Sequence, residues 1–149
     1  MQIHIEPIGH VENNINSPID SDWSKAESGI VFREDLVPAL SGLDEFSHVV
    51  IIFWMHQAKP PAVLSRRPQS RTDMPEIGVL SQRSKHRPNP IGITSVRLVK
   101  INGCRAVVRG LDAINGTPVL DIKPYYPEYD CHPEAQVPEW VNRLMKDYF

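Results

Sequence analysis

The segment Arg83–Gly92, R-S-K-H-R-P-N-P-I-G, does most to limit how this chain can fold. A proline fixes its own φ, lacks an N–H, and pushes the residue before it towards extended conformations. Arg87 and Asn89 each precede a proline, so both are held extended and stiff. With two donors missing, the segment suits neither a helix nor a ladder strand. It reads as a rigid loop between two strand-like apolar runs, Ile77–Leu80 and Ile91–Ile101. It presents Arg83, Lys85, His86, Arg87 and Asn89 at set angles. Such a loop loses little entropy when a ligand orders it. The same composition also suits a solvated surface turn.

The rest of the chain punctuates itself into short strands. Ile3, Ile5, Pro7 and Ile8–Val11 read as a first strand, and Gly29–Phe32 as a second. Asp35–Ser47 suits a brief helical turn that stops at Gly42. Ser47–Met55, S-H-V-V-I-I-F-W-M, is the most hydrophobic run and reads as a central strand buried on both faces. Ile91–Ile101 alternates as a strand, Asn102-Gly103 signals a hairpin, and Arg105–Arg109 returns as its partner. Asn115-Gly116 marks a second turn before the short strand Thr117–Ile122. A final helix from Val137 would align Trp140, Leu144 and Tyr148 in one stripe for core or dimer packing. Many short strands with hairpin turns and little helix predict a mainly β, antiparallel domain, closed or nearly closed. The 149 residues, 41% apolar, suit one domain over 1–149.

Charge is unevenly placed. The net charge of −2 conceals a middle, Lys59–Arg109, that holds eleven of the sixteen Lys and Arg and only Asp73 and Glu76 as acids. A basic middle in an acidic chain points to a polyanion or an anionic ligand, or else to cations lining the wet face of a sheet. Lys59–Pro75 carries Arg66, Arg67 and Arg71 among four prolines and shows little periodicity, so it reads as a long loop with little reason to pack. His56 and Gln57 end the central strand, where a polar pair suits either ligand contact or a strand cap. Trp23, the one large apolar group in Asn13–Ser24, suits a core plug by default, or else a stacking surface for a planar ligand. Cys104 and Cys131 make neither a metal spacing nor a disulfide framework, and no metal site is expected. A reducing cytoplasm is the simplest setting for such a pair, and no run of apolar residues is long enough for a membrane span.

The central stretch resembles the R-S-x-x-R-P-N-P-I-G signature of the TsaA-like, or TrmO, proteins. Three further matches stand in the same order: P-I-G-H-V (Pro7–Val11), L-D-E-F-S-H (Leu43–His48) leading to His56-Gln57, and L-D-A-I-N-G-T-P-V-L-D-I-K-P-Y (Leu111–Tyr125). The resemblance implies a single-sheeted antiparallel β-barrel with short helices, found as a homodimer, that binds S-adenosylmethionine. It also implies methylation of the exocyclic amine of threonylcarbamoyl-adenosine beside the tRNA anticodon. Carried over residue by residue, the cofactor-binding set is His56, Gln57, Arg83, Ile93, Ile114, Asn115, Gly116 and Thr117. The family's P-R-Q segment is replaced here by Asp20–Glu27, D-S-D-W-S-K-A-E, and the C-terminal extension of long members has no counterpart before Phe149.

Physical chemistry assigns roles within that frame. Methyl transfer to an amine needs mainly positioning, worth about 7–11 kcal/mol in good cases. Arg83 suits a bidentate pair with the cofactor carboxylate, Ile93 would cover the adenine, and the turn at Asn115-Gly116 would offer backbone donors. Asp121 is the candidate base, or else a partner of Lys123 or Arg87. Tyr125 or Tyr126 would stack on the target base. Arg66, Arg67 and Arg71 would meet tRNA phosphates, with Arg87, Asn89 and Tyr126 completing the substrate set. The alternatives are a related methyltransferase acting on a small molecule or another nucleotide, and a non-catalytic RNA-binding barrel.

Overall fold

The computed structural model describes residues Met1–Phe149. Six strands close into one antiparallel barrel: β1 (Gly9–Glu12), β2 (Glu27–Phe32), β3 (His48–Trp54), β6 (Ile91–Asn102), β7 (Arg105–Arg109) and β8 (Pro118–Pro124). Around the barrel they run β1-β2-β7-β6-β3-β8 and return to β1. A separate ribbon pairs β4 (Ser65–Arg66) with β5 (Ile77–Gly78). Two short helices follow β8: α1 (Pro127–Asp130) and α2 (Glu139–Met145). The mainly β barrel with short helices expected from the sequence is therefore the architecture observed.

Alternation explains the closure. Along β6, Thr94, Val96 and Leu98 point inward and are buried, while Ile93, Ser95, Arg97 and Val99 face out. Inward Val49, Ile51 and Phe53 of β3 meet them, and Val11, Ile30 and Val108 close the core from the other side. Each such buried side chain contributes about 1.5–3 kcal/mol. Full closure leaves the barrel no unpaired edge. Gly103 at φ 57 and Gly116 at φ 78 make the left-handed turns at the β6–β7 hairpin and before β8.

Several segments depart from expectation. The first strand begins at Gly9, not Ile3, because its ladder partners run only from Gly29 to Phe32 on β2 and at Pro118 and Val119 on β8. Ile3 and Ile5 stay exposed. β3 is buried on both faces only over Val49–Ile51, since a barrel strand turns every second side chain outward and Trp54 reaches solvent. Asp35–Ser47 forms two 3-10 turns, Glu34–Leu40 and Leu43–Glu45, separated by Gly42 at φ 83. The long loop does pack: it contributes β4, and Met74 is 1% exposed. Trp23 is a core plug at 2% exposure, its indole donating to the Ile19 carbonyl at 3.1 Å. Finally, α2 ends at Met145, so Tyr148 does not extend the stripe of Trp140 and Leu144. Its hydroxyl instead turns to Asp112.

Candidate functional site

The signature loop leaves the β4–β5 ribbon and enters β6, and a few polar contacts hold it. Gln82, buried, donates its amide to the carbonyls of Arg66 and Ile77 at 2.8 and 3.1 Å. Arg87 then donates to the Gln82 carbonyl at 2.9 Å, spanning the loop. The Met55 N–H bonds to the Pro90 carbonyl at 2.8 Å, which brings the exposed His56-Gln57 pair beside the end of the loop. Gln82 was invisible to motif reasoning, because nothing in its flanking sequence marks it as the bolt between ribbon and loop.

Arg83 and Ile93 meet. The Arg83 Nη2 donates to the Ile93 carbonyl at 2.6 Å, and no carboxylate lies in ion-pair range of its guanidinium. Its remaining donors and full charge are open to an anionic ligand. The Ile93 side chain is 50% exposed beside it, an apolar surface next to a cation. That pairing fits a zwitterionic nucleoside cofactor.

The Ile114–Thr117 segment, expected from the resemblance to meet the cofactor, is built differently from expectation. The N–H groups of Asn115, Gly116 and Thr117 donate to Ile15, Val11 and Ile114 carbonyls at 2.7, 2.8 and 3.2 Å. The turn therefore offers no free backbone donors: the Val11 carbonyl of β1, the Ile15 carbonyl beyond its end and the turn's own Ile114 carbonyl have taken them. Ile114 and Thr117 are buried, so the ligand-facing groups of the turn are those of Asn115 and Gly116. Asn13 locks the turn from the β1 side: it donates to Ala113 O and Ser28 Oγ, both at 2.9 Å, and its N–H bonds to Asn115 Oδ1 at 3.2 Å. A polar cavity of about 540 Å³ opens there, lined by Glu12, Asn13, Glu27, Gly29, Arg105 and Asn115 among others.

Asp121, Ile52 and Ile93 stand in register on β8, β3 and β6. Asp121 is thus roughly 10 Å from Ile93 across two strand spacings. Its Oδ2 meets Lys123 Nζ at 2.6 Å and its Oδ1 accepts the Ile122 N–H at 2.9 Å. Of the two roles open to Asp121 from sequence, the pairing with Lys123 is the one the structure displays. Tyr125 lies four residues on, about 13 Å further along the strand direction. The two candidate catalytic residues are not brought together. Tyr125 packs by His48, with its hydroxyl pKa raised by burial and then by Cys131 and Asp130. Tyr126 stacks on Phe46 at 5.8 Å and lies tilted against Tyr129 at 5.9 Å, and its N–H bonds to Asp130 Oδ2 at 3.1 Å.

Cations gather on the other flank of the signature. Arg66, Arg67, Ser70, Val63 and Glu76 line a cavity of about 510 Å³. His86 has its pKa lowered by burial and then by Arg66 and Lys85. Arg67 donates to the Met74 carbonyl, Arg66 to Ser70 Oγ at 3.2 Å, and Arg71 forms a bidentate pair with Asp73 at 3.0 and 2.7 Å. Asn89 is exposed, and its carbonyl accepts from Ile91 at 2.7 Å.

The profile of the tRNA-methyltransferase O N-terminal domain matches residues 9–131, the span that contains every one of these groups. The chain belongs to the tRNA-methyltransferase O family. It is 37% identical over 136 residues to a probable S-adenosyl-L-methionine-binding protein of Methanothermobacter thermautotrophicus, covering 87% of this chain and 95% of that one. It is also 37% identical over 142 residues to the tRNA (adenine(37)-N6)-methyltransferase of Homo sapiens, covering 89% of this chain. The crystal structure of TrmO from Pseudomonas aeruginosa superposes with a TM-score of 0.75 at 33% identity over 91% of the chain. The chain spans 32% of the human methyltransferase and 61% of the Pseudomonas chain. No helix is long and apolar enough to cross a membrane.

Proposed function

We propose that this family member is a methyltransferase that binds S-adenosylmethionine and acts on tRNA, on the exocyclic amine of threonylcarbamoyl-adenosine beside the anticodon. The observation that carries the reading is the seat of Arg83. It is a guanidinium without a carboxylate partner, anchored on the Ile93 carbonyl at the head of β6. Arg83 would take the cofactor carboxylate, Ile93 the adenine face, and His56, Gln57, Asn115 and Gly116 the surrounding polar contacts. When bound, S-adenosylmethionine supplies an electrophilic methyl group.

The chain's own work is then binding and orientation. The outer face of β6 and β3 holds the acceptor amine near the cofactor, in a geometry that turns encounter into an intramolecular step. The amine nitrogen loses one proton as it is methylated, and Asp121 is the nearest carboxylate in the register row of Ile93. To accept that proton its Oδ2 must give up Lys123. Arg66, Arg67 and Arg71 supply phosphate contacts, and Arg87, Asn89 and Tyr126 border the acceptor. Asp130, bonded to the Tyr126 N–H, favours contact of that ring with a base face over the backbone phosphates. A homodimer is part of the same proposal: Trp54 and Ile91, paired across β3 and β6, leave an apolar patch on the outer wall. Light scattering that returned a monomer mass at micromolar concentration would remove it.

Titration calorimetry with S-adenosylmethionine tests the cofactor. Mass spectrometry of tRNA nucleosides from a deletion strain tests the acceptor, with loss of the methylated threonylcarbamoyl-adenosine expected. Cofactor binding with an unchanged nucleoside profile would move the acceptor to a small molecule or another nucleotide. Absence of cofactor binding would leave an RNA-binding barrel.

A further inference from the structure

Asp112 opens the segment that leads to the cofactor turn, and neither of its carboxylate oxygens is spare. Oδ1 accepts the hydroxyl of Thr94, and Oδ2 accepts the hydroxyl of Tyr148 at 2.7 Å. Thr94 is buried on β6 immediately after Ile93, whose carbonyl holds Arg83. Tyr148 arrives from beyond α2, and its approach is fixed by backbone bonds: Asp22 N–H to Asp147 O at 3.2 Å and Trp23 N–H to Tyr148 O at 3.1 Å. Those residues belong to Asp20–Glu27, and buried Trp23 pins that segment to the core. Further back, Arg143 donates to the Asp73 carbonyl at 3.0 Å. One half-buried carboxylate therefore joins the head of β6, the turn Ile114–Thr117 and the tail after α2.

We propose that Tyr148 is a positioning residue of the cofactor site, acting through Asp112 to hold the Ile93–Thr94 segment and the Asn115-Gly116 turn at a fixed separation. The inference rests on the cofactor reading above. Two donors on opposite oxygens fix both the position and the plane of a carboxylate, which a single hydrogen bond does not. Losing the tyrosine donor frees Asp112 to rotate about Thr94, and the turn loosens against β6. The tyrosine is well suited to stay a donor. Burial, followed by the charge and hydrogen bond of Asp112 and then by Asp20, raises its pKa far above the ordinary value, with only Arg83 opposing. The contact stands one residue from the carbonyl that holds Arg83, because Thr94, bonded to Asp112, directly follows Ile93.

The test uses the full chain and S-adenosylmethionine as probe, read by titration calorimetry and by the thermal midpoint of the ligand-free protein. Tyr148→Phe is expected to weaken binding about tenfold, the scale of one hydrogen bond to a charged group. Asp112→Asn should weaken it similarly. The double variant should bind no more weakly than Asp112→Asn alone, because both act through one contact. Leu144→Ala loosens the packing of the same tail without touching Asp112, so it should lower the midpoint and leave affinity within about twofold. Tyr148→Phe binding within twofold of wild type overturns the proposal while leaving the cofactor reading intact. So does tighter binding, which would make Tyr148 an occluding group. A Leu144→Ala loss as large as that of Tyr148→Phe overturns it too, as does an additive double variant. If the wild type itself fails to bind, both readings fall together.

Discussion

The arginines of β7 and those of the signature flank sit on one barrel yet keep different company. Arg105 pairs with Glu12, and Arg109 meets Glu27 at 3.3 Å, each across a strand boundary. Arg66, Arg67, Arg83 and Arg87 donate to a hydroxyl or to backbone carbonyls, without a carboxylate partner. A carbonyl fixes the direction of a guanidinium and leaves its charge uncompensated, whereas a carboxylate cancels it. The first arrangement aims a field outward from the signature, and the second closes a wet sheet face. The glycines sharpen the contrast. A Cβ on Gly29 would meet the guanidinium of Arg105 at 2.1 Å, the movable end of an exposed side chain, whereas a Cβ on Gly92 would meet the buried Phe53 ring at 2.3 Å.

The contrast breaks first, if it is wrong, at Arg83. Arg83→Ala should weaken S-adenosylmethionine binding by about 1.5–3 kcal/mol, the worth of a hydrogen bond to a charged group. Calorimetry on a folded variant that returned the wild-type constant would remove Arg83 from the site. Next in size is Gly92→Ala, expected to cost about 1–3 kcal/mol by overpacking against Phe53. Gly29→Ala should fall well below it, since Arg105 can swing aside. Chemical denaturation of the two variants compares them directly, and equal losses would erase the distinction.

Changing Arg66, Arg67 and Arg71 together to alanine should flatten the slope of log tRNA affinity against log salt by up to about 2–3 units, at about 0.7–0.9 per phosphate contact. Arg71, already held by Asp73, should contribute least. Filter binding across a salt series reads this, and parallel slopes would show that the flank does not touch RNA. The smallest effect belongs to β7. Arg105→Ala and Arg109→Ala should leave both ligand affinities unchanged. The Arg105 hydrogen bond holds the Glu12 carboxyl below its ordinary 4.5. Its stabilisation is present above pH 4.5 and is lost as pH falls through the lower folded value. Arg105→Ala should therefore lack that small stabilisation at neutral pH and converge with wild type below the folded value, as read by acid unfolding of the two proteins.

The strands Glu27–Phe32, His48–Trp54 and Ile91–Asn102 were legible to within two residues at their ends, because period-two alternation and β-branched runs are local signals. So was the stiffness of Arg87-Pro88-Asn89-Pro90, which depends only on covalent geometry. The family was readable from contiguous motifs. Contacts between distant segments were not. That the Ile15 and Val11 carbonyls take the Asn115 and Gly116 donors, and that Met74 packs the long loop, are outcomes of the fold.

Tyr148 shows where that boundary runs. The sequence by itself determined an alternating β chain, a proline-stiffened cationic loop and the family to which both belong, because each is written in residues a few positions apart. The tertiary structure alone decided which donors remained free and which carboxylate Tyr148 would meet, 36 residues away on another element. The energy of a hydrogen bond depends on the partners that folding brings within 3 Å, and no local pattern encodes them.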